Sequence, residues 1–234
     1  LIKIFRYEFR RLVCNKFFFG LLAITLFYGW QVLMGDVIRG VSHTAPFSPW
    51  GFGFYLSQVL PLICLGESFF LSFFVSRAER RVSQLTAATP VDPRRYQLVR
   101  AAAVLAGTLL LAACAVALCL GFYAVLFHVL PLGTLLPPAL LLLVPALLFC
   151  LAAGFFASRF HPAALFAVAA AILLLTLLPL PGFASLSLSG FFRSYPLAAA
   201  VLDPPFAVPA PLLLSRGAYL FLAFVLLKKA GTPR

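Results

Sequence analysis

An all-α, polytopic helical membrane protein is the fold class this sequence predicts, on three observations. The chain of 234 residues is 63% hydrophobic and 10% charged, with a mean hydropathy of +1.06. A soluble domain carries about 25% charged residues, so this chain has too little polar surface to cover a globule. Its apolar residues gather into six long segments, at 17–34, 52–76, 101–127, 134–158, 162–180 and 211–227. Each gives ~25–40 Å of helix, enough to cross a hydrocarbon layer. Finally, Lys and Arg are sorted to one side of those segments. With the N-terminus inside, fifteen of the 18 fall on the inner side, leaving only Arg39, Arg193 and Arg216 opposite. The positive-inside rule then predicts six spans with both termini cytoplasmic, the whole of 1–234 forming one transmembrane domain. The net charge of +12 is accounted for by this bias and by attraction to an anionic inner leaflet, and nucleic acid is not an expected partner.

The first segment, 1–16, reads "LIKIFRYEFRRLVCNK". Ile2, Phe5, Phe9, Leu12 and Val13 recur at helical spacing, while Lys3, Arg6 and Arg10 hold the opposite side. An amphipathic helix lying in the inner interface is expected, anchored by Lys3, Phe5, Arg6, Phe9 and Arg10; a basic anchor without fixed structure is the plainer alternative. The apolar run behind it is as long as a span and lacks a small-x-small cleavage site, so a cleavable signal is not expected.

Span 1 leads to an outer loop, "GDVIRGVSHTAPFSPWG", whose turn formers and Trp50 suit an interfacial hairpin. Span 2 contains Glu67, about ten residues before Arg77 and therefore roughly 15 Å into the membrane. An intramembrane carboxylate calls for a partner or a function. Arg216, near the outer end of span 6, is the candidate partner; otherwise Glu67 is protonated or faces a hydrated path, and Arg216 snorkels outward.

The inner loop 77–95 is the most highly charged part of the chain. Val82, Leu85 and Ala88 or Thr89 share a helical face, with Arg80, Arg81 and Gln84 elsewhere. Pro90 stops that helix by pushing Thr89 out of the helical region. Asp92-Pro93 then opens a new one, with a side-chain cap and proline at its first position. The loop is therefore expected to be a short helix, a sharp break, and a helix that carries Arg94, Arg95 and Tyr96 into span 3. Span 4 begins after Pro137-Pro138 and holds Pro145, so a late start or a kink is expected. The outer segment 181–210 stays apolar but is interrupted by Pro, Gly and Ser. Two short helical pieces are expected there, near 185–192 and 196–202, either interfacial and partly re-entrant or as an ordinary external loop.

Several chemistries lack their residues. There is no Gly-rich phosphate loop ending in Lys-Ser/Thr, no HExxH and no Gly-x-Ser-x-Gly elbow. His43, His128 and His161 fall in different loops, so a shared metal site is not expected. The five cysteines have no CxxC spacing and read as small apolar fillers.

This layout resembles the membrane subunits of type-2 ABC transporters, the ABC-2-type permeases. The resemblance rests on the amphipathic N-terminal helix, the six spans, the interrupted segment before the last span, and the inner loop motif Glu79-Arg80-Arg81 followed by Leu85 to Thr89-Pro90. It implies that Glu79, Arg80, Arg81, Val82, Leu85, Thr89 and Pro90 form a coupling helix that docks on a separate ATP-binding cassette ATPase, with the N-terminal helix as the connecting helix beside it. It further implies a second permease subunit, identical or similar, and alternating access. ATP and Mg would be held by the ATPase and no cofactor by this chain, which would not itself be an enzyme. The expected function is export of an amphiphilic cargo, a peptide, drug or lipid-like molecule, across a bacterial or archaeal cytoplasmic membrane. Rival expectations are a stand-alone secondary transporter or channel using Glu67, an intramembrane enzyme, and a non-catalytic scaffold.

Overall fold

The computed structural model describes residues 2–75, 93–178, 185–199 and 201–230. Among these residues the structure is helical, without strands. Its elements are α1 (Ile2–Val13), α2 (Lys16–Val32), α3 (Pro49–Val75), α4 (Pro93–Leu126), α5 (Leu132–Ser158), α6 (Pro162–Leu177), α7 (Ser189–Ala198) and α8 (Ala210–Ala230). A π-helical turn, Leu33–Val37, extends α2 at its C-terminal end. Five helices are long and apolar enough to cross a membrane: α2 with its π turn, α3, α4, α5 and α8. The predicted span 162–180 appears as α6, with 16 residues. That gives about 24 Å, less than the roughly 30 Å of hydrocarbon. The predicted coupling residues Glu79, Arg80, Arg81, Val82, Leu85, Thr89 and Pro90 lie outside the described residues.

Local sequence explains the helix ends. Asn15 caps α2, its side-chain oxygen accepting from the Phe17 amide at 3.2 Å. His161 caps α6 by accepting from the Ala163 amide, with Pro162 at the first helical position. Helix α4 begins at Pro93, where Asp92-Pro93 predicts it. Helix α5 does not start late: it begins at Leu132 and takes Pro137 and Pro138 into its second turn. The pair withholds the N–H groups due to the carbonyls of Gly133 and Thr134, and both of these residues are exposed at the end of the helix.

Helix α3 is the hub. It packs against α2, α4, α5, α6 and α7, while α8 packs on α5 and α1 lies along the start of α4. Trp50, Tyr55, Leu56, Val59, Leu60, Ile63 and Cys64 are fully buried along it. Helix association in lipid draws little from the hydrophobic effect and relies on close packing and interhelical hydrogen bonds. Both are present. Tyr55 donates its hydroxyl to the Ala115 carbonyl of α4 at 2.9 Å. At Gly53 an added Cβ would sit 2.1 Å from the Phe192 ring, so α7 closes on bare backbone.

Replacing Gly53 by Ala should therefore force α3 and α7 apart, costing about 1–3 kcal/mol, seen as a lower Tm in detergent. Gly121→Ala, whose Cβ meets nothing within 4 Å, is the control and should not lower it. Equal behaviour of the two variants would refute the close-packing argument.

Candidate functional site

Among the described residues, charged side chains are buried at the basic end of this apolar bundle, in its middle and toward its far end. At the basic end, Glu8 of α1 is 3% exposed. The helix has an apolar face, and Glu8 lies on it because its partners come from the base of α4. Arg100 approaches with Nε 3.6 Å from Oε1, Tyr96 donates its hydroxyl to the same oxygen at 3.5 Å, and Arg11 reaches Oε2 at 3.5 Å. The Arg100 guanidinium lies between two rings, 4.8 Å from Phe74 of α3 and 4.5 Å from Tyr96. A planar, weakly hydrated guanidinium suits such a stack. The cluster thus joins α1, the end of α3 and the start of α4. These elements bracket residues 76–92. Sequence reasoning missed Glu8; the available signal was its place beside Phe5, Phe9 and Leu12 on the apolar side of α1.

The predicted anchor residues divide accordingly. Lys3, Arg6 and Arg10 are exposed, while Phe5 and Phe9 are half-buried, stacked at 6.0 Å, and packed toward the core.

In the middle, Glu67 on α3 is fully buried. Both carboxyl oxygens meet no hydrogen-bond partner among the described residues. The buried thiols of Cys64, one turn earlier on α3, and of Cys150 on α5 lie near it. The expected Glu67–Arg216 pair does not form. Arg216, 3% exposed on α8, donates instead to the backbone carbonyls of Leu186 at 3.1 Å and of Ser185, and stacks 5.3 Å from the Tyr219 ring. The reason is local: the chain between α6 and α7 brings non-helical carbonyls to membrane depth, where they need donors.

At the far end, residues 185–199 and 201–209 fold back over the bundle. Ser187 donates to the Thr176 carbonyl at 2.8 Å, and the Leu186 amide to Leu175 at 3.3 Å. The two expected short pieces are one helix, α7. Trp50 is a further correction: it is not an interfacial residue but completely buried. Phe191, Phe192, Tyr195 and Phe206 surround it at ring distances of 5.1–6.4 Å, and its indole N–H donates to the Pro204 carbonyl at 2.8 Å. Buried indole needs such an acceptor, and the folded-back segment supplies it. Beside this cage an outer hollow of about 590 Å³ collects Asp36, Arg39, Gln58, Ser189 and Arg193. Gly40, Ser42 and His43 turn its rim with φ of 78°, 55° and 61°. Glu67 lines neither this hollow nor the apolar groove described below.

Glu8→Ala should free α1 from α4, because removing one partner of a buried ion pair costs about 3 kcal/mol or more. Amide hydrogen exchange across residues 2–13 should rise while exchange across α5 stays unchanged. Unaltered protection of α1 would refute the clamp.

No protein-family model, no curated protein and no solved structure matches this chain.

Proposed function

We propose that this chain is the membrane-spanning permease subunit of an ATP-driven exporter of the ABC-2 type. In this reading residues 79–90 dock on a separate ATP-binding cassette ATPase, and ATP and Mg belong to that partner. Two permease subunits form a pathway for an amphiphilic cargo, α6 makes the sixth crossing, and both termini are cytoplasmic.

The observation that carries the proposal is the Glu8 cluster. A loop that receives force must be joined rigidly to what it moves. Residues 76–92 leave α3 just after Phe74 and enter α4 just before Tyr96, and those two rings hold Arg100 against Glu8. A push on the loop therefore meets α1, α3 and α4 as one body, and α3 touches the other crossing helices except α8. A loop serving only to reconnect two spans has no need of a buried ion pair at its base. The stand-alone transporter, with Glu67 as its working carboxylate, draws support from that residue's lack of a hydrogen-bond partner. It is weakened by the tight packing around Glu67.

The test is purification of the tagged full chain from its native host in mild detergent, with mass spectrometry of what accompanies it. A Walker-containing ATPase should be recovered in stoichiometric amount, and Arg80→Glu with Arg81→Glu should release it while leaving Tm unchanged. Transport without ATP hydrolysis by the chain alone, abolished by Glu67→Gln, would overturn the proposal in favour of the stand-alone transporter.

A further inference from the structure

The basic end of the bundle carries an apolar groove that the packing leaves open. Helix α3 forms its floor, with α2 and α6 as its walls. It encloses about 400 Å³ and is lined by Gly20 and Ile24 of α2, Leu65 and Phe69 of α3, and Phe166 and Ala169 of α6, with Lys16 at its mouth. Among the described residues, nothing stands within 4 Å of where a Cβ on Gly20 would lie, so these leave the space beside it open. Lys16 also borders a second, open hollow of about 590 Å³, lined by Tyr7, Arg10, Arg11, Cys14 and Asn15. The two depressions therefore meet at Lys16. One is a cationic shelf, the other a slot of hydrocarbon apart from Ser68, whose hydroxyl is turned onto the Cys64 carbonyl.

We infer that this composite depression is a binding site for one anionic phospholipid of the leaflet on the basic side of the membrane. The phosphate would sit on Arg10 and Lys16 and an acyl chain would lie in the groove. Three features favour a lipid over a helix from a second copy. From Lys16 to Ile24 the groove runs eight residues, about 12 Å, close to the thickness of one leaflet, half of roughly 30 Å. A helix from another chain would need a seam across the whole membrane. The cations stand only at the mouth, at headgroup level, where a phosphodiester meets them while its chain descends. Arg10 and Lys16 are both exposed, whereas Arg11 is already engaged by Glu8, so the shelf keeps two cations for a ligand. By the distribution of Lys and Arg, this side faces the cytoplasm, whose leaflet holds anionic lipid. The inference does not depend on the permease reading.

The experiment is native mass spectrometry of the full chain released from bilayers of equal phosphatidylglycerol and phosphatidylcholine. Phosphatidylglycerol should be retained over phosphatidylcholine on the order of ten-fold, since each nearby cation favours an anionic lipid about five-fold. Lys16→Gln with Arg10→Gln should bring the ratio near one, and Lys16→Arg should keep it, which separates loss of charge from loss of fold. Gly20→Leu, whose Cβ meets no described atom within 4 Å and whose side chain enters the groove, should abolish retention of either lipid. Photoreactive p-benzoylphenylalanine in place of Gly20 should cross-link to lipid. A wild-type ratio near one, retention unaffected by Gly20→Leu, or cross-linking of position 20 to a second copy of the chain would each overturn the inference.

Discussion

Within hydrocarbon no water is available to a stray backbone or side-chain dipole, and the architecture of this protein follows from that constraint. Its helices satisfy their own backbones, and their hydroxyls turn inward on the same helix. Ser57, Ser68, Thr108, Thr176 and Ser215 each donate to a carbonyl three or four residues back. Such bonds leave little polar surface for helix-to-helix contacts, so contact rests on shape. Helix α3 shows the consequence. It is apolar around most of its circumference and is therefore placed at the centre, where most of its faces find a neighbour.

Non-helical backbone is the exception, and at two places among the described residues its carbonyls receive a side-chain donor. The carbonyls of Ser185 and Leu186 take the guanidinium of Arg216, and the Pro204 carbonyl takes the indole of Trp50. A cation so deep in the bundle is expensive alone; here it replaces the water that those carbonyls cannot reach. Arg216 and Trp50 thus act together as the fastening of residues 185–199 and 201–209. The Glu8–Arg100 cluster does the corresponding work at the opposite end, tying an interfacial helix to two crossing ones. Polar chemistry is concentrated at the two ends of α3, and between them stands Glu67.

Which features could be read from the sequence depends on how far apart the interacting residues lie. Helix α1 and its exposed cations follow from periodicity, and the start of α4 follows from Asp92-Pro93, because both are decided within a few residues. Crossing helices follow from length and composition. Their rotation does not: α4, α5 and α6 are apolar on every side, so no periodic signal tells which face meets a neighbour. That is why Trp50 reads as an interface residue until the cage of Phe191, Phe192, Tyr195 and Phe206 is known. The expected Glu67–Arg216 pair fails for the same reason. Opposite charges in neighbouring spans suggest a pair only when local backbone does not claim the cation first. Glu8 was hidden by its neighbours, since one acid among five cations reads as a surface residue.

The short helix α6 gives the bundle an asymmetry with consequences for lipid. At 16 residues it falls several ångströms short of the hydrocarbon thickness, and the Leu186 amide and Ser187 hydroxyl bind back to its last turn. Above that point the bundle is filled by protein: α7 closes onto Gly53 and the aromatic cage seals Trp50. On the basic side no described residue fills the space between α2 and α6, and α3 is bare at Leu65 and Phe69, which are 39% and 38% exposed. A bilayer does not leave such a space empty, so lipid or another chain must complete the packing there. The cations at its mouth decide between the two, because a helix entering from a second copy would gain nothing from Arg10 and Lys16, whereas a phosphate gains from both.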